Sequence, residues 1–364
     1  MPIYMDRHDL PESVSAEEVA RLHQEDLKIE HEFGCKGMTY WFDEERKTAF
    51  CLIQAPNKQA LQDMHNHAHG AIANSIIEVD PTVVESFLGR ISDPANELDQ
   101  DINVINDPAF RVLMLVSFRN YMLKVSCENL LKSTALDSID VLGELITRHK
   151  GRLVQSVGCR HLASFKTVDE ALKCASEVQQ VLEEKFEALG KDLELRIGLS
   201  AGVPFEEEDG LFDEAIKVAD QLCEIVSGEI VITSEINELY KKKHLQAIPN
   251  QGSVRILKPS EERFLKMFVD FTEKNWNRSD LKVDDFSQGL GLSKAQLYRK
   301  VKTLTGTSLN AFLKGYRLDK ALDLLSERKG NISEVAFDTG FNSPSYFSRC
   351  FHGTFGVLPS EFGK

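Results

Sequence analysis

The sequence predicts a multidomain α+β protein in which two mixed strand-and-helix segments precede one wholly helical segment. Three observations carry this. The chain has 364 residues, too many for one ordinary core at about 100–200 residues per domain. Period-2 runs and amphipathic stretches alternate over residues 1–80 and 110–258, whereas residues 259–364 show helical periodicity alone. The charge is also uneven. The net is −14, yet Glu261–Lys364 carries 16 Lys+Arg against 13 Asp+Glu, so the acidity lies in front. From Gly289 onward the count is 11 against 6. A mildly basic tail suits an anionic partner, although solvated charge on separate domains would have the same composition.

Composition narrows the class. The chain is 42% hydrophobic and 27% charged, as in soluble globular proteins, and no apolar run approaches the roughly 18–20 residues that span a bilayer. The N-terminus, Met1–His8, lacks a basic region followed by an apolar stretch, so no signal peptide and no membrane partner are expected. The 7 cysteines are far apart and form no CxxC, which fits reduced thiols in a cytoplasmic protein.

In the first segment, Ile3–His8 is extended. Ser15 caps a helix from Ala16 to Gly34. Met38–Phe42 and Thr48–Ala55 form a hairpin, Asn57 opens a second helix ending at Gly70, and Ser75–Val79 is a short strand. The order β-α-β-β-α-β is ferredoxin-like. Residues 81–109, with Pro81, Pro94 and clustered acids, form a linker. The middle segment, 110–258, reads as strand Val112–Phe118, helix Ser126–Lys150, hairpin strands Leu153–Val157 and His161–Phe165, and helix Val168–Leu189. Strand Glu194–Val203, helix Phe212–Ile225 and strand Glu229–Thr233 follow.

The last segment, 259–364, carries the most specific pattern. From Leu281, Val283, Phe286 and Leu290 form an apolar stripe, Gly291 permits a tight turn, and Ser293 caps a second helix whose Leu297 and Val301 face inward. Lys294, Gln296, Arg299, Lys300 and Lys302 are then left outside, types that read base edges and hold phosphates. The grammar repeats from Asn331. Gly340 makes the turn, Ser343 caps a helix with Pro344 in its first turn, and Asn342, Ser345, Ser348 and Arg349 point outward. The helix Leu309–Ser326 joins the units. Ala336, Gly340-Phe341, Ser343, Ser345, Tyr346, Phe347, Ser348, Arg349, Phe351, Gly356 and Pro359 resemble the C-terminal domain of the AraC/XylS regulators; His352 departs where that family usually has lysine. The resemblance implies that Ser293–Lys302 and Pro344–His352 enter successive major-groove segments of double-stranded DNA, with Tyr346 among the contacts.

The middle segment resembles a class III nucleotide cyclase domain through His149–Val154, Gly158, Leu162–Phe165, Arg196–Val203 and the Ala215–Leu222 helix. Such enzymes need two carboxylates to hold metal ions on a triphosphate. Their positions fall at Val116 or Ser117 and at Cys159, and the ribose- and charge-orienting positions fall at Lys217 and Gln221. A thiol beside valine or serine does not replace hard carboxylate ligands. The segment is therefore expected to be a degenerate cyclase-like α/β domain without catalysis, serving dimerisation or ligand binding. A divergent cyclase or a metal-dependent enzyme fused to a DNA-binding domain is the alternative.

Six of the 10 histidines precede residue 70. His65 and His69, spaced i, i+4, share a helix face, His23 and Asp26 share another, Asp6 and His8 share a strand face, and Cys51 lies on the third strand. Imidazoles and a thiolate gather transition metals, although exposed histidines in an acidic domain are often simply solvated. Residues Met1–His8, Tyr40–Pro56 and His65–Gly70 resemble small ferredoxin-like bacterial proteins of nickel-binding or unknown function. That resemblance implies His8, His23, Asp26, Cys51, His65 and His69 as ligands of nickel or a similar ion, and pairing through the sheet. The whole reads as a cytoplasmic, homodimeric DNA-binding transcription regulator responding to a metal ion or small effector.

Overall fold

A computed structural model describes residues 1–70, 73–95, 102–119, 140–158, 160–188, 194–207, 210–226, 228–244 and 254–362. The N-terminal strands β1 (Ile3–Asp9), β2 (Lys36–Asp43), β3 (Thr48–Gln54) and β4 (Ser75–Glu78) pair antiparallel in the order β2-β3-β1-β4. Helices α1 (Ala16–Ile29) and α2 (Lys58–Ala68) begin at the side-chain caps Ser15 and Asn57. Alternation along each strand splits the sheet into two apolar faces. Tyr4, Tyr40, Phe42 and Ile53 pack under the helices with Val19, Leu61 and Met64.

The opposite face, Met5, Trp41, Phe50, Leu52 and Ile77, does not meet solvent. It packs on Phe205 and Phe212 and joins the core of the middle unit. The linker takes part: α3 (Pro81–Leu88) is capped by Asp80 and buries Val84, Phe87 and Leu88 in that same core. Arg111, fully buried, donates to the Phe87 and Leu88 carbonyls and locks the linker to the next strand. The sheet face that the ferredoxin-like resemblance would pair between two copies is thus covered within one chain.

In the middle unit, β5 (Arg111–Arg119), β6 (Arg152–Val157), β7 (Arg160–Phe165), β8 (Glu194–Gly202), β9 (Ile230–Ile232) and β10 (Val254–Ile256) form a sheet of order β10-β9-β8-β5-β7-β6. One face carries α4 (residues 140–148), α5 (Val168–Ala188) and α7 (Ser234–His244). The other carries α6 (Asp213–Ile225). Gly198 lets α6 lie against β8, because a Cβ there would stand 2.5 Å from the Ala219 carbonyl oxygen. The predicted helix Ser126–Lys150 is seen over 140–148 and ends in a turn at 149–150, while residues 126–139 and Cys159 lie outside the described residues. Helix α7 and strand β10 extend the unit where the spacing predicts no element.

The C-terminal unit is helical: α8 (Pro259–Asn275), α9 (Val283–Gly289), α10 (Lys294–Thr305), α11 (Leu309–Ser326), α12 (Ile332–Asp338) and α13 (Pro344–Phe355). Two cores lie along α11. Leu309 and Leu313 pack with α8, α9 and α10 in a cluster that also contains Leu222, Ile225 and Val231 of the middle unit. Leu318, Ala321 and Leu322 pack with α12 and α13. Among the described residues, no helix is long and apolar enough to cross a membrane.

Candidate DNA interface and candidate metal centre

Each half of the C-terminal unit is a helix-turn-helix. Gly291 (φ +62°) and Gly340 (φ +77°) occupy the two turns in the left-handed conformation that glycine tolerates. In α10, Leu297, Val301 and Leu304 are buried, and Lys294, Arg299 and Lys302 are exposed. Lys294 reaches Asp284 at 2.5 Å, and Lys302 donates to the Gly306 carbonyl at 2.6 Å. Ser293 and Gln296 form a capping box, the Gln296 side chain accepting from the Ser293 amide at 2.9 Å. Lys300 is half-buried, with its ammonium 5.1 Å from the centre of the Phe264 ring. Gln296 and Lys300, grouped by spacing with the outward residues, thus each have a partner within the unit. Tyr298, 60% exposed on the same helix, joins this outward set, although an aromatic at helical spacing reads as core.

In α13, Phe347, Phe351 and Phe355 recur every four residues and are buried. Ser343 caps the helix by accepting from the Tyr346 amide. Asn342, Ser345, Tyr346 and Arg349 are exposed, Ser348 is half-buried, and the Arg349 guanidinium lies 5.6 Å from the Tyr346 ring centre. Arg317 of α11 donates to the Trp276 and Arg278 carbonyls at 2.8 and 2.6 Å, tying that helix to the segment between α8 and α9.

The N-terminal unit gathers its ligating side chains between the sheet and the helices. Two triads have ligand atoms within 4.8 Å of one another: Asp6, His8 and Cys51, and Asp26, His65 and His69. His65 joins them, with Nε2 2.7 Å from Asp6 Oδ2 and Nδ1 3.0 Å from Asp26 Oδ1. His8 lies 3.4 Å from Asp6, and His69 lies 3.2 Å from Asp26. Burial alone would lower the His65 pKa, but the Asp6 charge and the hydrogen bonds to both carboxylates raise it to about 10. Burial likewise opposes the Asp6 charge, yet His8 and His65 hold that carboxyl well below the usual range. Burial and the neighbouring Asp6 and Asp26 push the Cys51 thiol well up.

His23, expected in this set, pairs instead with Asp93 of the linker at 3.2 Å and tilts against Tyr40. Alternation along β1 places Asp6 on the face of His8, and the fold makes this carboxylate central, within reach of both His8 and His65. The donor set of imidazoles, carboxylates and a thiol suits nickel, zinc or copper.

The cyclase positions hold other chemistry. Val116 is buried in the apolar core, and Ser117 donates to Glu224 at 3.1 Å. Lys217 lies 3.6 Å from Asp270 of α8, and Gln221 is buried.

Residues 4–79 match the family model described as nickel responsive protein SCO4226-like, and residues 286–364 match a helix-turn-helix domain model. Over 102 residues the chain is 38% identical to histidine kinase P4 of Formosa agariphila, covering 28% of this chain and 7% of that protein. Over 100 residues it is 31% identical to the HTH-type transcriptional regulator MtrA of Neisseria gonorrhoeae, covering 28% of this chain and 32% of that protein. The chain thus spans less than a third of the length of either relative. Similar solved structures include SCO4226 from Streptomyces coelicolor A3(2), with 30% identity over 21% of this chain and 94% of that one and a TM-score of 0.20. An adenylate/guanylate cyclase/hydrolase from Silicibacter pomeroyi shares 23% identity over 37% of this chain and 81% of that one, with a TM-score of 0.31. The C-terminal unit is an AraC-type helix-turn-helix domain, and the N-terminal unit is SCO4226-like.

Proposed function

We propose that this chain is a sequence-specific transcription regulator that binds double-stranded DNA through α10 and α13 and responds to a transition metal held in its N-terminal unit. The observation that carries the reading is the pair of recognition helices. Each is anchored by a buried apolar stripe, each presents Lys, Arg or Ser outward, and α11 holds both. Arg299, Lys294 and Lys302 on one helix, and Asn342, Ser345, Tyr346 and Arg349 on the other, contact the duplex. Ser293 and Ser343, as helix N-caps, approach phosphates.

Nickel or a similar ion would be held by donors drawn from Asp6, His8, Cys51, Asp26, His65 and His69. When bound, the ion would supply a fixed divalent charge between β1 and α2. The middle unit relays rather than catalyses, since Val116 and Ser117 offer no carboxylate where a cyclase needs one. In this reading the protein is a cytoplasmic homodimer joined outside the N-terminal sheet, and sedimentation equilibrium at micromolar concentration checks the dimer.

The decisive experiment is selection from a random duplex library by the full chain, with and without nickel. Enrichment of a bipartite motif with half-sites about one helical turn apart is expected. Recovery of no motif under either condition overturns the reading.

A further inference from the structure

Resting on the DNA-binding reading proposed above, we infer that Tyr298 selects a thymine: its ring packs on the 5-methyl group of a base in the major groove, beside the base that Arg299 contacts. Tyr298 lies in the second turn of α10, between Leu297, which is fully buried, and Arg299, which is exposed. At 60% it is more exposed than any other Phe, Tyr or Trp among the described residues. A large aromatic side chain left in water on this helix is the opposite of what solubility favours.

Nothing within the protein takes this ring. Among the described residues the Tyr298 hydroxyl has no hydrogen bond, and the ring has no aromatic or cationic neighbour. The lysines one turn to either side are turned away, Lys294 to Asp284 and Lys302 to the Gly306 carbonyl. Tyr346 of α13 differs, with the Arg349 guanidinium 5.6 Å from its ring centre and the Phe341 ring 6.1 Å away. Three residues before Tyr298, Ala295 is also exposed, so this strip of α10 is apolar between basic residues.

The chemistry of the groove names the partner. Base edges in the major groove present donors and acceptors, and the one apolar group among them is the thymine 5-methyl. Aromatic carbon laid on an amino or carbonyl edge removes its water without replacing the hydrogen bond, which costs free energy. Laid on a methyl group, the same carbon gains by burial. The competing arrangement has the phenol hydroxyl on a phosphate, and that contact carries no base information.

The test uses the full chain and the duplex recovered by the selection above. If no motif is recovered, both readings fall; if one is, only the role of Tyr298 is then at stake. Each thymine of the motif is replaced in turn by uracil, which removes the methyl group alone. One replacement should weaken wild-type binding about three- to fivefold, the worth of one buried methyl group. This comparison needs no variant to fold. Tyr298→Ala should bind the thymine and uracil duplexes equally, and Tyr298→Phe should keep the difference. Arg299→Ala should bind both more weakly with the difference intact. Three results each overturn the proposal: no methyl-sensitive position, a methyl effect that persists in Tyr298→Ala, or equal weakening of both duplexes by Tyr298→Phe without a methyl effect, which would put the hydroxyl on a phosphate.

Discussion

His65 Nε2 lies 2.7 Å from Asp6 Oδ2, so the last turn of α2 is pinned to the middle of β1 by a contact between two buried groups. Both imidazole nitrogens face carboxylates, and the ring is held as a cation. Removing either partner strands the other away from water.

Asp6→Asn should therefore act twice. In metal-free protein it leaves a buried imidazolium with one fewer counter-charge and lowers unfolding free energy by about 3–5 kcal/mol, read by urea denaturation. It should also reduce bound nickel, read by elemental analysis, as should His65→Ala with His69→Ala. His23→Ala, whose ring holds Asp93 instead, should retain its metal. Wild-type nickel content in Asp6→Asn would move the ion elsewhere.

The two neighbours on α10 should separate cleanly in DNA binding. Arg299 is exposed, so Arg299→Ala should weaken specific binding by about 1–3 kcal/mol, or roughly 10- to 100-fold. Lys300 spends its charge on the Phe264 ring, so Lys300→Ala should cost about 0.5–1 kcal/mol of stability and leave operator affinity within about twofold. Gel shifts at one fixed salt concentration decide, because phosphate contacts make affinity salt-dependent.

The contrast between these residues marks what a sequence can disclose. Leu297, Val301, Phe347 and Phe351 were legible because helical periodicity states directly which face is buried. The direction of a long polar side chain is not periodic. Lys300 sits one residue beyond Arg299 and finds a ring contributed by α8, and Gln296 finds the amide of its own N-cap. The cluster of candidate ligands was half legible for the same reason. Spacing put His65 with His69 and Asp6 with His8, but only the packing of α2 on β1 brings the pairs together. It is the linker residue Asp93, 70 positions away, that draws His23 aside. The covered sheet face was not legible at all, because an apolar face reads the same whether its partner is a second copy or a later part of the chain.

Acid should probe the middle unit selectively. His161 is buried, with Nδ1 2.8 Å from Ser156 Oγ, and burial pushes its pKa down to about 4. Above about pH 6.5 it is neutral both folded and unfolded and contributes nothing. As pH falls from 6.5 towards 4, the unfolded chain takes up a proton that the folded chain refuses. Stability should drop by on the order of 2–3 kcal/mol across that window. His161→Gln should flatten this part of the curve relative to wild type when urea midpoints are compared at pH 4.5 and 7. An unchanged slope would mean that the ring is protonated in place.

The junction between the N-terminal sheet and the middle unit turns on Phe205, which meets Phe50 edge-on with ring centres 5.5 Å apart. Its carbonyl accepts from Arg7 at 3.2 Å, and Ser75 donates to the next carbonyl, that of Glu206. On β1, Arg7 alternates with Asp6 and His8, so one strand presents the candidate metal-binding groups to one side and the junction to the other. Phe205→Ala should cost about 3–5 kcal/mol through the cavity left behind. Because the loss falls between two cores, calorimetry should resolve one unfolding transition into two, the earlier one being the N-terminal unit. The metal set lies across the sheet from Phe205, so nickel content should stay at the wild-type value while any effect of nickel on DNA affinity disappears. A single transition at the wild-type midpoint would show that the two cores are coupled by other contacts, with α3 and Arg111 the next to test.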